Sequence, residues 1–256
     1  MTSTKTTLLT NVFNEEYLLP FWLNHHKNMF DDIIIIDYNS TDNSMQICKS
    51  ICPECKIITT RNERFKCKEI DEEFMDIENG IEGIKIVLIT TEFLFCETSI
   101  KDIFIDDKNP IAYAINVITP YSINNYNVTN KYELFNNLFN NDVVYHNNRG
   151  LRYLHTHSNG NYIIGRHHTN NHYVLTNKAH IIWFGYYPMN DNLLKRKLQI
   201  AANMTQYDKD HRLGWQHFYS KQEMLNINNE NAKSGVSFKC INESLYNLLN
   251  EYNTTH

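Results

Sequence analysis

Several features that would place this chain in a familiar functional class are missing from it. No apolar run approaches the roughly 18 to 20 residues that span a bilayer, and lysine and arginine form no dense cluster. The net charge of -5 argues against general nucleic-acid binding. Glycine (8) and proline (5) are scarce while Asn, Ile, Lys and Tyr are abundant, a bias typical of AT-rich coding that says little about function.

The first residues contain no apolar segment of a signal peptide and lead directly into a predicted strand. We therefore expect a soluble, cytoplasmic protein with no transmembrane segment. The 256 residues are enough for one large domain, or for a domain with an extension, and for an ample core.

The cysteines do not have the arrangement of a small disulfide framework. They are Cys48, Cys52, Cys55, Cys67, Cys96 and Cys240. The first three have the spacing of the radical-SAM iron–sulfur motif, and three thiolates so spaced can hold a cluster. That motif belongs on a glycine-rich loop, whereas Cys48 and Cys52 fall on the back half of a predicted helix. At a spacing of four residues they more simply pack that helix against a sheet.

The most informative stretch is a run of four isoleucines at residues 33–36. The run is too apolar for a surface strand and too short for a helix, so it predicts a strand buried on both faces of a parallel sheet. In open parallel sheets, ligands bind beyond the carboxyl ends of the strands. Asp37 follows this strand directly, which predicts a ligand contact, although an acid there also commonly anchors a loop.

Strands and helices alternate along the first third of the chain, which predicts an α/β unit with right-handed crossovers. The predicted strands are 6–13, 33–36, 56–60 and 83–90, and the predicted helices are 15–29, 41–51 and 67–81.

The pattern is looser in the remainder of the chain. We predict a short helix at 99–105, a strand at 111–119, a long loop or lid at 120–148 with a helical piece at 132–139, a strand pair at 152–157 and 161–167, a strand at 179–186, an amphipathic helix at 189–204 and a largely helical tail whose clearest helix is 244–252. The amphipathic helix could lie on a membrane surface, but its apolar positions are sufficient for core packing.

Two strand ends together resemble a known family. The first predicted strand ends in Asn14-Glu15, and the second ends in Asp37 followed by Ser40-Thr41-Asp42. This pair resembles the nucleotide-sugar-binding half of GT-A glycosyltransferases, close to glycosyltransferase family 2, over roughly residues 6–95. The resemblance implies that Asp37 accepts a hydrogen bond from the nucleobase, usually uracil, and that Asn14 and Glu15 line the nucleoside pocket.

The same resemblance exposes a departure at the fourth predicted strand. Relatives end this strand in Asp-x-Asp-Glu-Phe, where the two aspartates hold a divalent ion that neutralises the diphosphate leaving group. Here Glu92-Phe93 match, but Ile89 and Thr91 stand at the two aspartate positions. The motif is therefore degenerate. Glu92 is the remaining candidate for catalysis and metal binding, Thr91 is a candidate donor contact, and a requirement for Mn²⁺ or Mg²⁺ stays open.

A histidine-rich stretch supplies the remaining candidates. Arg152 through His155 and Gly165 through His168 resemble the Arg-x-x-His and Gly-His-His patterns of related transferases. The resemblance implies that a histidine near 167–168 closes the site as a metal ligand or diphosphate contact, with Arg152 and Lys197 facing phosphates. Side chains alternate along a strand, so only one of His167 and His168 can point inward. Ordinary surface or core histidines are the competing interpretation.

The prediction is therefore an α/β fold of the GT-A (Rossmann-like) type, with a mixed, mostly parallel sheet flanked by helices. Residues 1–204 would form the glycosyltransferase-like domain, with a nucleotide-binding half at 6–95 and an acceptor half at 96–204. Residues 205–256 would form a helical C-terminal extension packed on it.

The predicted activity is transfer of a sugar from a nucleotide sugar, a UDP-sugar, to a hydroxyl acceptor on a glycan or protein. An inverting enzyme needs a general base near the acceptor hydroxyl, for which His168 and Asp191 are the candidates. Two alternatives stay open: a catalytically inactive module that binds nucleotide sugars, and, more remotely, a radical-SAM-like iron–sulfur enzyme.

Overall fold

The computed structural model describes residues 4–105, 112–147 and 149–254. Within them the chain forms one sheet of ten strands. The strands are β1 (Thr6–Val12), β2 (Asp32–Asp37), β3 (Lys56–Thr59), β4 (Ile84–Val87), β5 (Glu92–Cys96), β6 (Ala112–Tyr121), β7 (Val144–His146), β8 (Leu151–His155), β9 (Val174–Leu175) and β10 (Ala179–Trp183).

Helices cover the sheet and form the C-terminal tail. They are α1 (Leu19–His26), α2 (Ser44–Ile51), α3 (Cys67–Glu78), α4 (Ile100–Ile105), α5 (Lys131–Asn136), α6 (Asp191–Leu198), α7 (Ile200–Asn203), α8 (Gln206–Asp210), α9 (Lys221–Ser234), α10 (Phe238–Ile241) and α11 (Glu243–Thr254), with 3-10 turns at Asn137–Phe139 and Trp215–His217. In the described part of the chain, no helix combines the length and the apolar character needed to cross a membrane.

The isoleucine strand lies where the sequence predicts it. Strand β2 pairs in parallel with β1 on one side and β3 on the other, and β1 pairs in parallel with β4. Ile33 and Ile35 pack in one hydrophobic cluster while Ile34 and Ile36 pack in another. Successive side chains of a strand point to opposite faces, so the predicted burial on both faces is confirmed.

The other half of the sheet is mixed. The order along the sheet is β3-β2-β1-β4-β8-β6-β10-β5, with β7 and β9 paired to β6. Strand β8 is antiparallel to both β4 and β6, β10 is parallel to β6, and β5 closes the edge antiparallel to β10. The predicted architecture, a mixed α/β sheet flanked by helices with a helical tail, is confirmed.

The helical tail packs on the second half of the sheet. Leu245 and Leu249 are fully buried in the larger core cluster, and the Asn228 side chain donates to the Ser122 carbonyl at 2.7 Å. The division at residue 204 stays a prediction, and residues 1–3 and 255–256 of the predicted domains lie outside the described residues.

Several predicted boundaries need correction. The helix predicted at 15–29 is shorter, because α1 begins at Leu19 with proline in its first turn, where a missing N–H costs nothing. The predicted helix 189–204 is two helices, α6 and α7, which meet at Gln199. Strand β5 was not predicted. Residue 111, the predicted start of a strand, and residue 148, the end of the predicted lid, lie outside the described residues.

The strand predicted at 161–167 is wrong. This segment is a turn, with one isolated bridge between Tyr162 and Thr169. Asn161, Gly165 and Arg166 have φ angles of 45°, 88° and 58°, which an extended strand does not allow. Only its predicted partner is formed, as β8.

Candidate functional site

The loops that follow β1 and β2 are fastened to each other at the carboxyl edge of the sheet. Asn14 adopts a left-handed φ of 51°, and its side-chain oxygen accepts hydrogen bonds from the backbone N–H groups of Thr41 at 2.7 Å and Asp42 at 3.3 Å. In return, the Asn14 N–H donates to the Ser40 hydroxyl at 3.1 Å. Asn14 therefore shapes the rim of the crevice, as well as lining it.

Asp37 is held at this edge with one oxygen in use. Its Oδ1 accepts a hydrogen bond from the Ser40 N–H at 2.9 Å, the loop-anchoring role that the sequence left open. Its Oδ2 makes no hydrogen bond within the described part of the chain. The side chain is half-buried, and one carboxylate oxygen is left without a hydrogen-bond partner there.

Beside these loops lies a cavity of about 250 Å³. Three aromatic side chains in its wall share the flat, apolar surface that suits a planar ring, with polar groups between them. The lining residues are Phe13, Tyr38, Asn39, Thr41, Asn62, Glu63, Arg64, Phe65, Ile200 and Asn203.

A neighbouring cavity of about 410 Å³ lies between the same loops and α6. It is lined by Asn14, Glu16, Tyr17, Thr41, Asp42, Asn192, Lys195, Arg196 and Gln199. Helix α6 is fastened across the crevice, because the Arg196 guanidinium donates to the Glu15 carboxylate and the Gln199 amide donates to the Asn14 carbonyl at 2.9 Å. Glu15 lines neither cavity, and the structure places it beneath α6 as the partner of Arg196.

Glu92 and Arg152, two of the residues singled out in the sequence, meet in a buried ion pair. Arg152 donates from Nε to Oε2 of Glu92 at 2.9 Å and from its terminal nitrogen to Oε1 at 2.6 Å. Burial by itself would raise the pKa of Glu92, but the charges of Arg152 and Arg149 and the hydrogen bonds lower it to about 2. Glu92 is therefore ionised and holds two arginines in place.

The described residues at this position do not fit a divalent metal ion. Ile89 and Thr91 supply no carboxylate, and both oxygens of Glu92 are occupied by Arg152, by the Arg149 Nε at 3.4 Å and by the Ile89 N–H at 3.2 Å. Across the described ranges, no group of three or more His, Cys, Asp or Glu side chains is arranged to hold a metal. The suggested metal ligands, Glu92 and His168, share no hydrogen bond there.

In place of a metal site, two cationic side chains pack against the ring of Trp183. The Arg149 guanidinium lies 3.4 Å from the centre of this ring, and the Lys197 ammonium lies 5.6 Å from it and 4.0 Å from the ring of Tyr186. The indole N–H of Trp183 donates to the Thr91 hydroxyl at 3.0 Å. Arg149 and Trp183 were not identified in the sequence, since their meeting depends on segments far apart in the chain.

Lys197 differs from the other cations because it has no anionic partner. The residue is 8% exposed, and within the described ranges it makes neither a hydrogen bond nor an ion pair. Burial lowers the pKa of Lys197 to about 7, and the charges of Arg196 and Arg149 act in the same direction. Burial also lowers the pKa of Arg149 to about 9, against the attraction of Glu92.

The two candidates for the general base, His168 and Asp191, lie at the protein surface, away from the buried ion pair of Glu92. His168 is exposed, and of the neighbouring pair it is His167 that points inward, where its Nδ1 accepts a hydrogen bond from Arg152 at 2.9 Å. The Asp191 side chain is 91% exposed at the start of α6 and pairs with Lys221 at 3.2 Å. The structure does not bring His168 or Asp191 into contact with Glu92.

The cysteines do not assemble an iron–sulfur site in this structure. Cys52 and Cys55 form a disulfide with each other, and Cys48 is fully buried in the hydrophobic core. Two of the three thiolates needed for the radical-SAM motif are therefore engaged, which removes the support for that alternative.

Comparison with known proteins gives similarity to solved structures alone. No family model matches the chain, and no curated protein matches it. S. aureus TarS 1–349 matches at 15% identity over 59% of this chain and 47% of that one, with a TM-score of 0.39. The same protein in complex with UDP-GlcNAc matches at 20% identity over 49% and 37%, with a TM-score of 0.36.

Glucosyl-3-phosphoglycerate synthase from Mycobacterium tuberculosis, in complex with Mn²⁺, UDP and glucosyl-3-phosphoglycerate, matches at 13% identity. The match covers 35% of this chain and 34% of that one, with a TM-score of 0.29. In all three, less than half of the other chain is covered. Likeness at this level is too weak to say what this protein does, so its function has to be argued from its own site.

Proposed function

We propose that this protein transfers a sugar from a nucleotide sugar, UDP-linked, to a hydroxyl group of a glycan or protein acceptor. One observation carries the proposal. At the carboxyl edge of parallel strands, an aromatic cavity is lined by Tyr38 and Asn39, which directly follow Asp37 in the chain. At the same edge, the charges of buried cations act on His217, whose ring packs against Phe65 in the cavity wall. This is the edge at which open α/β sheets bind ligands, and the two chemistries suit a nucleobase and a diphosphate.

The base would be held by Asp37 and the aromatic cavity. Uracil has one ring N–H that can donate to the Asp37 Oδ2, and Phe13, Tyr38 and Phe65 offer surfaces for stacking. A site built around this hydrogen bond discriminates against bases that lack the donor, because the carboxylate would then be left unpaired. Asn14 and Glu15 would act by holding the loops and α6 around the nucleoside.

The diphosphate would be held by the cations. All three nitrogens of the Arg152 guanidinium donate hydrogen bonds, to Glu92, to neighbouring carbonyls and to His167. Its contribution is therefore to fix Glu92 and through it Arg149, while Lys197 is the cation left for a ligand. Thr91 supports the same arrangement by fixing Trp183.

Transfer would break the bond between the anomeric carbon and the diphosphate oxygen, with the electron pair leaving on the diphosphate. The acceptor oxygen forms the new bond and its proton passes to a base. The departing diphosphate gains one negative charge, so fixed cations stabilise the transition state more than the ground state. His168 and Asp191 stay the candidate bases, and either must approach the acceptor when the substrates bind.

A second candidate function is a module that binds the nucleotide sugar without turning it over. The observation that favours it is the replacement of both metal-binding acids by Ile89 and Thr91, together with the complete engagement of Glu92. Such a protein would use the same cavity and cations, so UDP binding does not separate the two functions.

The test is a calorimetric titration with UDP followed by an assay for UDP release from a panel of UDP-sugars, with and without hydroxyl acceptors. A transferase binds UDP saturably, and it forms UDP from its UDP-sugar donor faster when an acceptor is present. Saturable binding with no release from any donor would instead support the inactive module. No UDP binding by folded protein would contradict both.

A further inference from the structure

In the predicted family, two aspartates at the end of the fourth strand bind a metal ion. In this protein, the second of these positions contacts an aromatic residue that packs against two cations. Thr91 stands at the second of those positions, and its hydroxyl accepts the indole N–H of Trp183. Arg149 and Lys197 both lie against the ring of Trp183. The side chain of Trp183 therefore lies between the position of the absent aspartate, now Thr91, and the two cations.

The balance of charge in this buried group is positive. Arg149, Arg152, Arg196 and Lys197 are four cations, whereas Glu15 and Glu92 are the two carboxylates paired with them. Two positive charges are left when all four cations are protonated, which is the charge that a divalent ion would bring. Buried charges are costly unless they are paired, so a surplus of this kind is expected where an anion binds.

The excess positive charge lies on Lys197 and Arg149, and both side chains have N–H donors that make no hydrogen bond in the described residues. Lys197 has no hydrogen-bond or ion-pair partner in the described residues, and the one hydrogen bond of the Arg149 side chain found there is the long contact from Nε to Glu92 at 3.4 Å. The terminal nitrogens of Arg149 therefore retain their donors. Guanidinium and ammonium groups of this kind are the usual partners of phosphate oxygens.

His217 connects this group to the nucleobase cavity. Its ring lies 5.8 Å from the ring of Phe65 in the cavity wall. Burial, together with the charges of Lys197, Arg196 and Arg149, lowers the pKa of His217 to about 3. His217 is thus close enough to feel these cations while it adjoins the cavity, as a residue between the base and the diphosphate would be.

We propose that Arg149 and Lys197 bind the donor's diphosphate directly and take the place of the divalent metal ion, so that nucleotide binding is independent of metal. This inference rests on the proposed function for the identity of the ligand, a nucleoside diphosphate. It goes beyond that function by making Arg149 a direct ligand of the diphosphate beside Lys197. It also excludes a metal requirement, because the acids that would hold the ion are absent or engaged.

The experiment compares UDP, uridine and inorganic pyrophosphate by calorimetry in a chelating buffer, and repeats the UDP titration with Mn²⁺. The test variant is Lys197→Met, which keeps the length of the side chain over Tyr186 and removes a desolvated charge, so we expect it to fold. The matched control is Lys233→Met, because Lys233 also lies in the last turn of a helix but is 65% exposed and pairs with Glu230.

We expect UDP to bind at least tenfold more tightly than uridine in chelator, with Mn²⁺ changing its affinity less than twofold. Lys197→Met should lower the affinity for UDP and for pyrophosphate at least tenfold and leave uridine unchanged, whereas Lys233→Met should change none of the three. Arg149→Gln, confirmed as folded by its melting curve, should reproduce the loss.

The inference would be overturned if UDP bound only with Mn²⁺ or if UDP bound no more tightly than uridine binds. It would also be overturned if Lys197→Met left the affinity for pyrophosphate unchanged. Failure of the proposed function has a different signature. In that case uridine does not bind, while pyrophosphate still binds in chelator and depends on Lys197, which supports the cation site without the nucleoside.

Discussion

Two fully buried glutamates lie at opposite edges of the sheet, and they differ in their partners. Glu92, at the carboxyl edge, faces Arg152 and Arg149. Glu78, at the end of α3, accepts hydrogen bonds from the Tyr162 hydroxyl at 2.9 Å and the Gly160 N–H at 2.7 Å and contacts His155 at 3.1 Å.

The buried lysines near the two glutamates show the same contrast. Lys85, close to Glu78, is 1% exposed and donates to the Ile81 carbonyl at 2.7 Å. Lys197, near the Glu92 centre, has no such partner in the described residues. A buried acid is therefore not in itself a sign of a functional site. What distinguishes the carboxyl edge is the surplus of cations and a lysine whose hydrogen-bonding capacity is unused.

Glu92→Gln should have the largest effect on stability. It leaves the buried arginines without their carboxylate, a type of change that costs about 3–5 kcal/mol in the free energy of unfolding. The pKa of Glu92 is lowered in the folded protein from 4.5 to about 2. The stabilisation should thus be complete above about pH 4.5 and disappear as the pH falls through about 2.

Urea denaturation of wild type and Glu92→Gln at pH 7 and at pH 3 measures this effect. A loss below 1 kcal/mol at pH 7 would mean that the arginines find other partners. A difference between the two proteins that grows on acidification would contradict the assigned direction of the pKa shift.

Glu78→Gln should cost less. The glutamine keeps an acceptor for Tyr162 and leaves no unpaired arginine, so we expect a loss of about 1–3 kcal/mol, the scale of disturbed buried hydrogen bonds. The same denaturation series measures it. If Glu78→Gln proved as costly as Glu92→Gln, the distinction between a glutamate with arginine partners and one without them would be lost.

Asp37 extends the comparison to a carboxylate with one oxygen in use. Asp37→Ala should weaken UDP binding by about 1–3 kcal/mol through loss of a charged hydrogen bond to the base. The control is Asp32→Ala, at the other end of β2, where the side chain is 48% exposed and pairs with Lys5 at 2.9 Å. Unchanged affinity in a folded Asp37→Ala protein would reject the nucleobase assignment.

The first half of the sheet was readable from the sequence because its signals are local. Four consecutive isoleucines require burial on two faces, and the acid after them has to lie at the strand end. One of His167 and His168 points inward as expected, but the segment is a turn, so strand alternation is not the reason, and the sequence does not show that it is His167. Strand β5 was missed because it is only five residues long and follows closely after β4, so its apolar residues could not be told apart from the end of the predicted fourth strand.

The sequence predicts only part of the cation site. Lys197 was singled out as a phosphate contact, but its burial against Tyr186 depends on how α6 packs. Arg149 reaches Trp183 across the fold, from a segment with no periodic pattern. Asn161, Gly165 and Arg166 lie in a sequence with the pattern of a strand, but they form a turn that is specified by positive φ values and not by hydrophobicity.

The central claim, that unpaired positive charge at the carboxyl edge binds the donor's diphosphate, is tested most directly by the protons taken up when UDP binds at pH 8. The pKa of Lys197 is about 7, so it is mostly neutral in the free protein, beside Arg149, Arg196, His217 and Tyr186. A diphosphate raises that pKa. Calorimetry in two buffers of different ionisation enthalpy should then show uptake of roughly half to one proton per UDP, which is lost in Lys197→Met. Binding with no uptake, or with equal uptake in Lys197→Met, would contradict the account.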